Sequence, residues 1–187
     1  MSYNIKKVAV LGTGVMGSQI AAHLSNANIE VYAFDMNQEV AVSGLEACKK
    51  LKPSPYYNIK SHSLITPMNY DNHLDKLKEC DWIIEAISEK ITWKQDLYKK
   101  IIPFLSDTVI VSSNTSGLSL SDLSEGMPDE FLEKFFITHF FNPPRYMKLV
   151  EIIASNKTKQ DMVDFIHKFL ENDLGKGVVV AKDTPNF

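Results

Sequence analysis

A chain of 187 residues is long enough for one domain with a substantial apolar core and too short for a second full one. Its 44% hydrophobic and 23% charged residues are the balance of a globular protein, and a net charge of −3 without a continuous basic stretch excludes nucleic acid from the expected partners. Cys48 and Cys80 stand far apart with no metal-ligand spacing around them, and the apolar run 8–11 is too brief for a signal peptide or a membrane span, so the cytoplasm is the expected compartment.

Along the chain, short runs rich in valine and isoleucine alternate with longer stretches of helical spacing, the pattern of a βαβ series around a buried parallel sheet. Strands are expected at 6–11, 30–34, 82–86, 109–112, 136–138, 149–153 and 178–180, and helices over 15–26, 38–50, 93–104, 119–124 and 159–170. Between residues 51 and 71, Pro53, Pro55 and Pro67 stand among Ser, Asn and Tyr, which predicts an irregular excursion. The chain stops at Phe187 directly after a strand, which reads as one domain, 1–187, of a longer polypeptide.

Gly12-Thr13-Gly14-Val15-Met16-Gly17 follows the first expected strand and opens the first expected helix, in the order of the dinucleotide fingerprint. Gly12 permits the tight turn, Gly14 lets a pyrophosphate approach the backbone, and Gly17 allows helix to pack closely on strand. The helix N-terminus then presents N–H groups and partial positive charge to phosphates. Asp35 ends the second strand at about the 20-residue spacing at which a carboxylate accepts hydrogen bonds from the adenine ribose. The following Met36-Asn37-Gln38 holds no arginine for a 2′-phosphate, so the expected cofactor is NAD, in a doubly wound α/β fold of the Rossmann type.

Thr138-His139-Phe140-Phe141-Asn142-Pro143-Pro144 followed by Met147-Lys148-Leu149-Val150-Glu151, with Ser113-Asn114-Thr115-Ser116 and Glu85-Ala86-Ile87 before them, closely resembles the signature of L-3-hydroxyacyl-CoA dehydrogenases, from Lys7 to Pro185. The resemblance implies an NAD-dependent oxidoreductase of fatty-acid β-oxidation. It makes His139 the general base that removes the 3-hydroxyl proton and Glu151 the carboxylate that orients the imidazole. Ser116 would hydrogen-bond the substrate oxygen, Asn114 and Asn142 would line the nicotinamide and substrate end, and Glu85 and Lys90 would contact the cofactor ribose. Imidazole suits the first role, with a reference pKa of about 6.5 close to working pH.

The chain departs from the family in two respects. The proline-rich excursion replaces a helical hairpin that contributes contacts to coenzyme A, which leaves Lys49, Lys50 and Lys52 as guesses for its phosphates. A C-terminal all-helical domain, which in the family covers the acyl-CoA and forms a homodimer, is absent, and Asp183-Thr184-Pro185 resembles the hinge into it. Pro143-Pro144-Arg145 resembles the larger bacterial fatty-acid oxidation proteins that add an enoyl-CoA hydratase region. Two other readings stay open: a superfamily dehydrogenase acting on a free hydroxy or sugar acid, and a non-catalytic NAD-binding module.

Overall fold

β-Branched and aromatic residues dominate Lys7–Leu11 (β1), Glu30–Asp35 (β2), Trp82–Glu85 (β4), Ile110–Ser113 (β5), Phe135–Phe140 (β6) and Leu149–Ile153 (β7), as strands buried on both faces require. With Ile65–Asn69 (β3) and Gly177–Val180 (β8), they form one eight-stranded sheet in the order β3-β2-β1-β4-β5-β6-β7-β8. This is seen in a computed structural model that describes residues 3–184. Neighbouring strands are parallel except β6 and β7, which are antiparallel.

Helices Val15–Asn26 (α1), Gln38–Lys49 (α2) and Gln160–Asn172 (α6) cover one face, burying Ile20, Leu24, Leu45, Ile166 and Leu170 against Val8, Val10 and Trp82. Ile91–Ile101 (α3), Leu120–Leu123 (α4) and Asp129–Leu132 (α5) cover the other, where Leu97, Tyr98 and Phe131 meet Ile83, Val111 and Phe135. Each fully buried side chain of this size contributes about 1.5–3 kcal/mol. Among the described residues no helix is long and apolar enough to cross a membrane.

β2 and β3 lie on one side of β1 and all later strands on the other, so the winding reverses beside β1 and opens a crevice at the carboxyl ends of the strands. The excursion is more ordered than its composition predicts. A 3₁₀ helix, Ile59–Leu64, leads into β3, which lies at the sheet edge, where the missing N–H of Pro67 interrupts no ladder. The expected helix over 119–124 shortens to the four residues of α4, capped by the Ser119 hydroxyl on the Asp122 amide.

Candidate active site

The glycine turn is closed by packing. Gly12 adopts φ +103°, and a Cβ there would lie 2.8 Å from the Ala86 carbonyl oxygen; a Cβ on Gly17 would lie 1.9 Å from the Gly12 oxygen. Gly14 is the opposite case: nothing lies within 4 Å of where its Cβ would be, so the first turn of α1 faces open space with its amides uncapped by any side chain. Thr13 lies between them and donates both its backbone N–H and its hydroxyl to Asp35 Oδ2, each at 2.7 Å, while the Met36 amide donates to Asp35 Oδ1 at 2.8 Å. The carboxylate is thereby fixed at the end of β2, next to the turn. Sequence reasoning missed Gly44, where a Cβ would lie 2.3 Å from the Thr13 carbonyl oxygen, so α2 approaches the turn only because it carries no side chain there. Its signal was a glycine in mid-helix, which loses about 1 kcal/mol relative to alanine unless packing requires it.

Across the crevice, the antiparallel register sets His139 of β6 directly opposite Glu151 of β7, and Nδ1 meets Oε2 at 2.9 Å. Both side chains are largely buried, 11% and 15% exposed, which strengthens the interaction over that of a surface pair. The Asn114 Oδ1 accepts the Phe140 amide at 2.8 Å and so ties the end of β5 to the residue following His139. The resulting cleft, of about 580 Å³, is lined by Gly14, Val15, Met16, Asn114, Ser116, His139 and Asn142, all anticipated from sequence, and by Ser88 and Glu89, which were not.

Two expected cofactor contacts lie elsewhere. Glu85 is fully buried inside the protein, where its carboxylate accepts hydrogen bonds from Lys94 (2.6 Å), Tyr98 (2.7 Å), Ser113 (2.6 Å) and the Ile87 amide (2.8 Å). A side chain from the middle of a parallel sheet points into a covering layer, and this one has no exposed surface for a ribose. Lys90 is exposed at the start of α3 with its ammonium 4.0 Å from the Trp93 ring centre, outside the cleft lining.

Four residues beyond Glu85 stands a carboxylate that does line the cleft. Glu89, in the loop after β4, accepts the Thr115 hydroxyl, the Ser116 amide (2.9 Å) and the Gly117 amide (3.2 Å), and Lys94 bridges it to Glu85. Burial opposes ionisation of Glu89 most strongly. The Thr115 hydrogen bond, the Lys94 charge and the two amides together outweigh it and hold the carboxyl below its ordinary range. Its sequence signal was its place in the loop beyond the strand end, where α/β sheets put ligand-facing groups.

These residues fit NAD. The uncovered face at Gly14 and the α1 amides suit a pyrophosphate, Asp35 suits ribose hydroxyls, and the carboxylate there disfavours an added 2′-phosphate. Among the described residues no group of His, Cys, Asp and Glu side chains could hold a metal ion.

Residues 7–184 match the family model described as 3-hydroxyacyl-CoA dehydrogenase, NAD binding domain. The chain is 45% identical, over its whole length, to a Bacillus subtilis protein named "Probable 3-hydroxyacyl-CoA dehydrogenase". It is 32% identical over 98% of its length to the fatty acid oxidation complex subunit alpha of Idiomarina loihiensis. It spans 26% of the length of each of these relatives. Among solved structures, (S)-3-hydroxybutyryl-CoA dehydrogenase from Ralstonia eutropha superposes with a TM-score of 0.84 at 26% identity, over 98% of this chain and 66% of that one. The chain therefore belongs to the 3-hydroxyacyl-CoA dehydrogenases, a family of NAD-dependent oxidoreductases, and matches their NAD-binding domain.

Proposed function

We propose that this chain supplies the cofactor site and the proton-transfer pair for oxidation of L-3-hydroxyacyl-CoA to 3-oxoacyl-CoA in fatty-acid β-oxidation. The observation that carries this reading is the His139–Glu151 contact at 2.9 Å, in a cleft wall facing the glycine turn. Glu151 accepts Nδ1–H, which makes Nε2 the basic nitrogen, and its charge stabilises the imidazolium formed when His139 takes the 3-hydroxyl proton. As the O–H electrons form the new carbonyl π bond, the C3–H bond breaks with its electron pair. Bound NAD⁺ supplies the acceptor for that hydride. Ser116, at the cleft wall with its amide anchored on Glu89, donates its hydroxyl to the substrate oxygen.

We further assign residues 1–187 to the NAD-binding domain of a longer cytoplasmic enzyme in which an all-helical domain completes the acyl-CoA cleft and forms a homodimer. Exposed Leu149, Val179 and Val180 of β7 and β8, with Met147 just before β7, offer an apolar surface for it. The similarity to the alpha subunit of a fatty acid oxidation complex supports a multifunctional parent. The reading is tested by measuring NADH oxidation with acetoacetyl-CoA, with free acetoacetate and with a sugar acid's keto form. Turnover of the thioester alone is expected. Preference for a free acid would replace the substrate class, and cofactor binding without turnover of any of them by the full-length protein would make this an NAD-binding module.

A further inference from the structure

We propose that Gln19 is a positioning residue that turns the Asn142 carboxamide so that Nδ2, a hydrogen-bond donor, faces the cleft and selects a ligand carbonyl oxygen there. The inference rests on the cleft assignment above and adds a group outside the family signature that set it.

Gln19 lies on α1, two residues beyond the glycine fingerprint, and is 5% exposed. One terminal atom of its carboxamide is 2.8 Å from the Val15 carbonyl oxygen. A backbone carbonyl can only accept, so that atom is the nitrogen, and the side chain has a single orientation. The same Nε2 lies 3.1 Å from the nearer branch of the Asn142 carboxamide. That branch must accept, so it is Oδ1, and the amide ambiguity of Asn142 is resolved by the same reasoning. Nδ2 is the branch that remains; among the described residues it has no protein acceptor, and Asn142 lines the cleft with His139 and Ser116.

Two consequences follow. A polar wall residue offering N–H favours a carbonyl oxygen over a hydroxyl hydrogen or an ammonium at that spot. Two carbonyls belong to the proposed reaction: the nicotinamide carboxamide and the thioester or 3-oxo group of the acyl-CoA. The bond also joins the helix that receives the pyrophosphate to the segment carrying Asn142, three residues beyond the base, so cofactor and substrate sides share one hydrogen-bonded strut. A solvent-facing role for Gln19 is excluded by its burial.

The test uses Gln19→Glu, which keeps the shape but offers Asn142 a carboxylate that can only accept, so Nδ2 turns toward it and Oδ1 turns into the cleft. Gln19→Met, of equal length and apolar, is the variant that folds if the buried carboxylate does not. NADH and acetoacetyl-CoA affinities are measured by calorimetry for the wild type and each variant, with the Asn142 side-chain amide signals followed by ¹⁵N NMR. Gln19→Glu is expected to weaken the ligand that meets Asn142 about tenfold, the worth of about 1.4 kcal/mol, and Gln19→Met about threefold. Loss confined to NADH identifies the nicotinamide carboxamide; loss confined to acetoacetyl-CoA identifies the substrate carbonyl. In an Asn142→Ala background, Gln19→Glu should add nothing. Unchanged affinity for both ligands with unmoved Asn142 signals, or a loss that persists in the Asn142→Ala background, overturns the assignment. These are binding and spectroscopic readouts, so they stand or fall separately from the proton-transfer role of His139.

Discussion

His139 and Glu151 are twelve residues apart in the chain and directly opposed across the β6–β7 pair, with Nδ1 and Oε2 at 2.9 Å. The antiparallel register of β6 and β7 creates this contact by setting the two residues directly opposite each other. His139→Gln in the full-length enzyme is expected to lower kcat by about 10²–10⁴-fold, the usual worth of a positioned general base, with NADH affinity nearly unchanged. Glu151→Gln keeps the shape and removes the charge, so it too should slow the chemical step. The double variant should be little worse than the poorer single one, because residues acting as a unit are not additive. Single-turnover rates for the four proteins decide it: near-normal kcat in His139→Gln, or losses that multiply, would remove the pair from the proton transfer.

The ribose contact proposed for Asp35 makes a prediction about cofactor preference. Its carboxylate is already oriented by Thr13 and the Met36 amide, so little ordering remains for binding to accomplish. Asp35→Ala is expected to weaken NADH by about tenfold or more, the scale of a hydrogen bond to a charged group, and to narrow the gap to NADPH. Thr13→Val should move affinity in the same direction by less, since the backbone N–H to Asp35 survives. Calorimetric titration with both cofactors measures this, and equal wild-type affinity for NADH and NADPH would refute the ribose assignment.

Most of this arrangement is legible in the sequence because it depends on local rules. Glycines at Gly12, Gly14 and Gly17 are dictated by backbone geometry, and the valine-rich runs by burial on two faces. What escaped depends on contacts between distant segments. β3 is hidden by Pro67, which only its edge position excuses, and Gly44 is explained only by the neighbouring Thr13 carbonyl. Glu85 and Glu89 are both acidic residues near a strand end, and only the fold shows that the first is sealed in a network while the second turns to the cleft. The register that joins His139 to Glu151 was suggested by resemblance; spacing alone left it undetermined.

The buried Glu85–Lys94 pair predicts an asymmetry in stability. Both side chains are 0% exposed and 2.6 Å apart. Lys94→Met leaves the Glu85 carboxylate without its countercharge and should destabilise the fold by about 3–5 kcal/mol, whereas Glu85→Leu combined with Lys94→Met should recover part of that loss. It should also loosen Glu89, and with it the Ser116 amide. Urea unfolding of wild type, Lys94→Met, Glu85→Leu and the double variant gives the comparison, and a double variant as unstable as the sum of both singles would show that the two charges are not coupled.

His23 makes stability depend on acid. Its ring is buried on α1, and burial first, then the charge of Lys176, push its pKa from the ordinary 6.5 down to about 3. Between those values the unfolded chain binds a proton that the folded chain refuses, so stability falls as pH drops below 6.5 and the penalty is complete near 3. Carboxylates held below their ordinary range, Glu79 and Glu89 among them, lose stability in acid too, so the total slope does not isolate the histidine. The difference between wild type and His23→Leu does, because leucine fills similar space and takes no proton in either state. Wild type should lose about 1.4 kcal/mol relative to His23→Leu for each pH unit below 6, down to where the fold fails. Lys176 has the same sign in a higher window. Its pKa is lowered by burial to about 8, so its charge weighs against the folded state below that and the burden lifts as pH rises toward 10.5. Urea unfolding from pH 4.5 to 7 separates His23 from Lys176, since of the two only the histidine titrates differently between the folded and unfolded states in that window, and the other shifted groups are common to both proteins. Parallel curves for wild type and His23→Leu would mean that the ring takes up its proton as readily in the folded protein as in the unfolded chain.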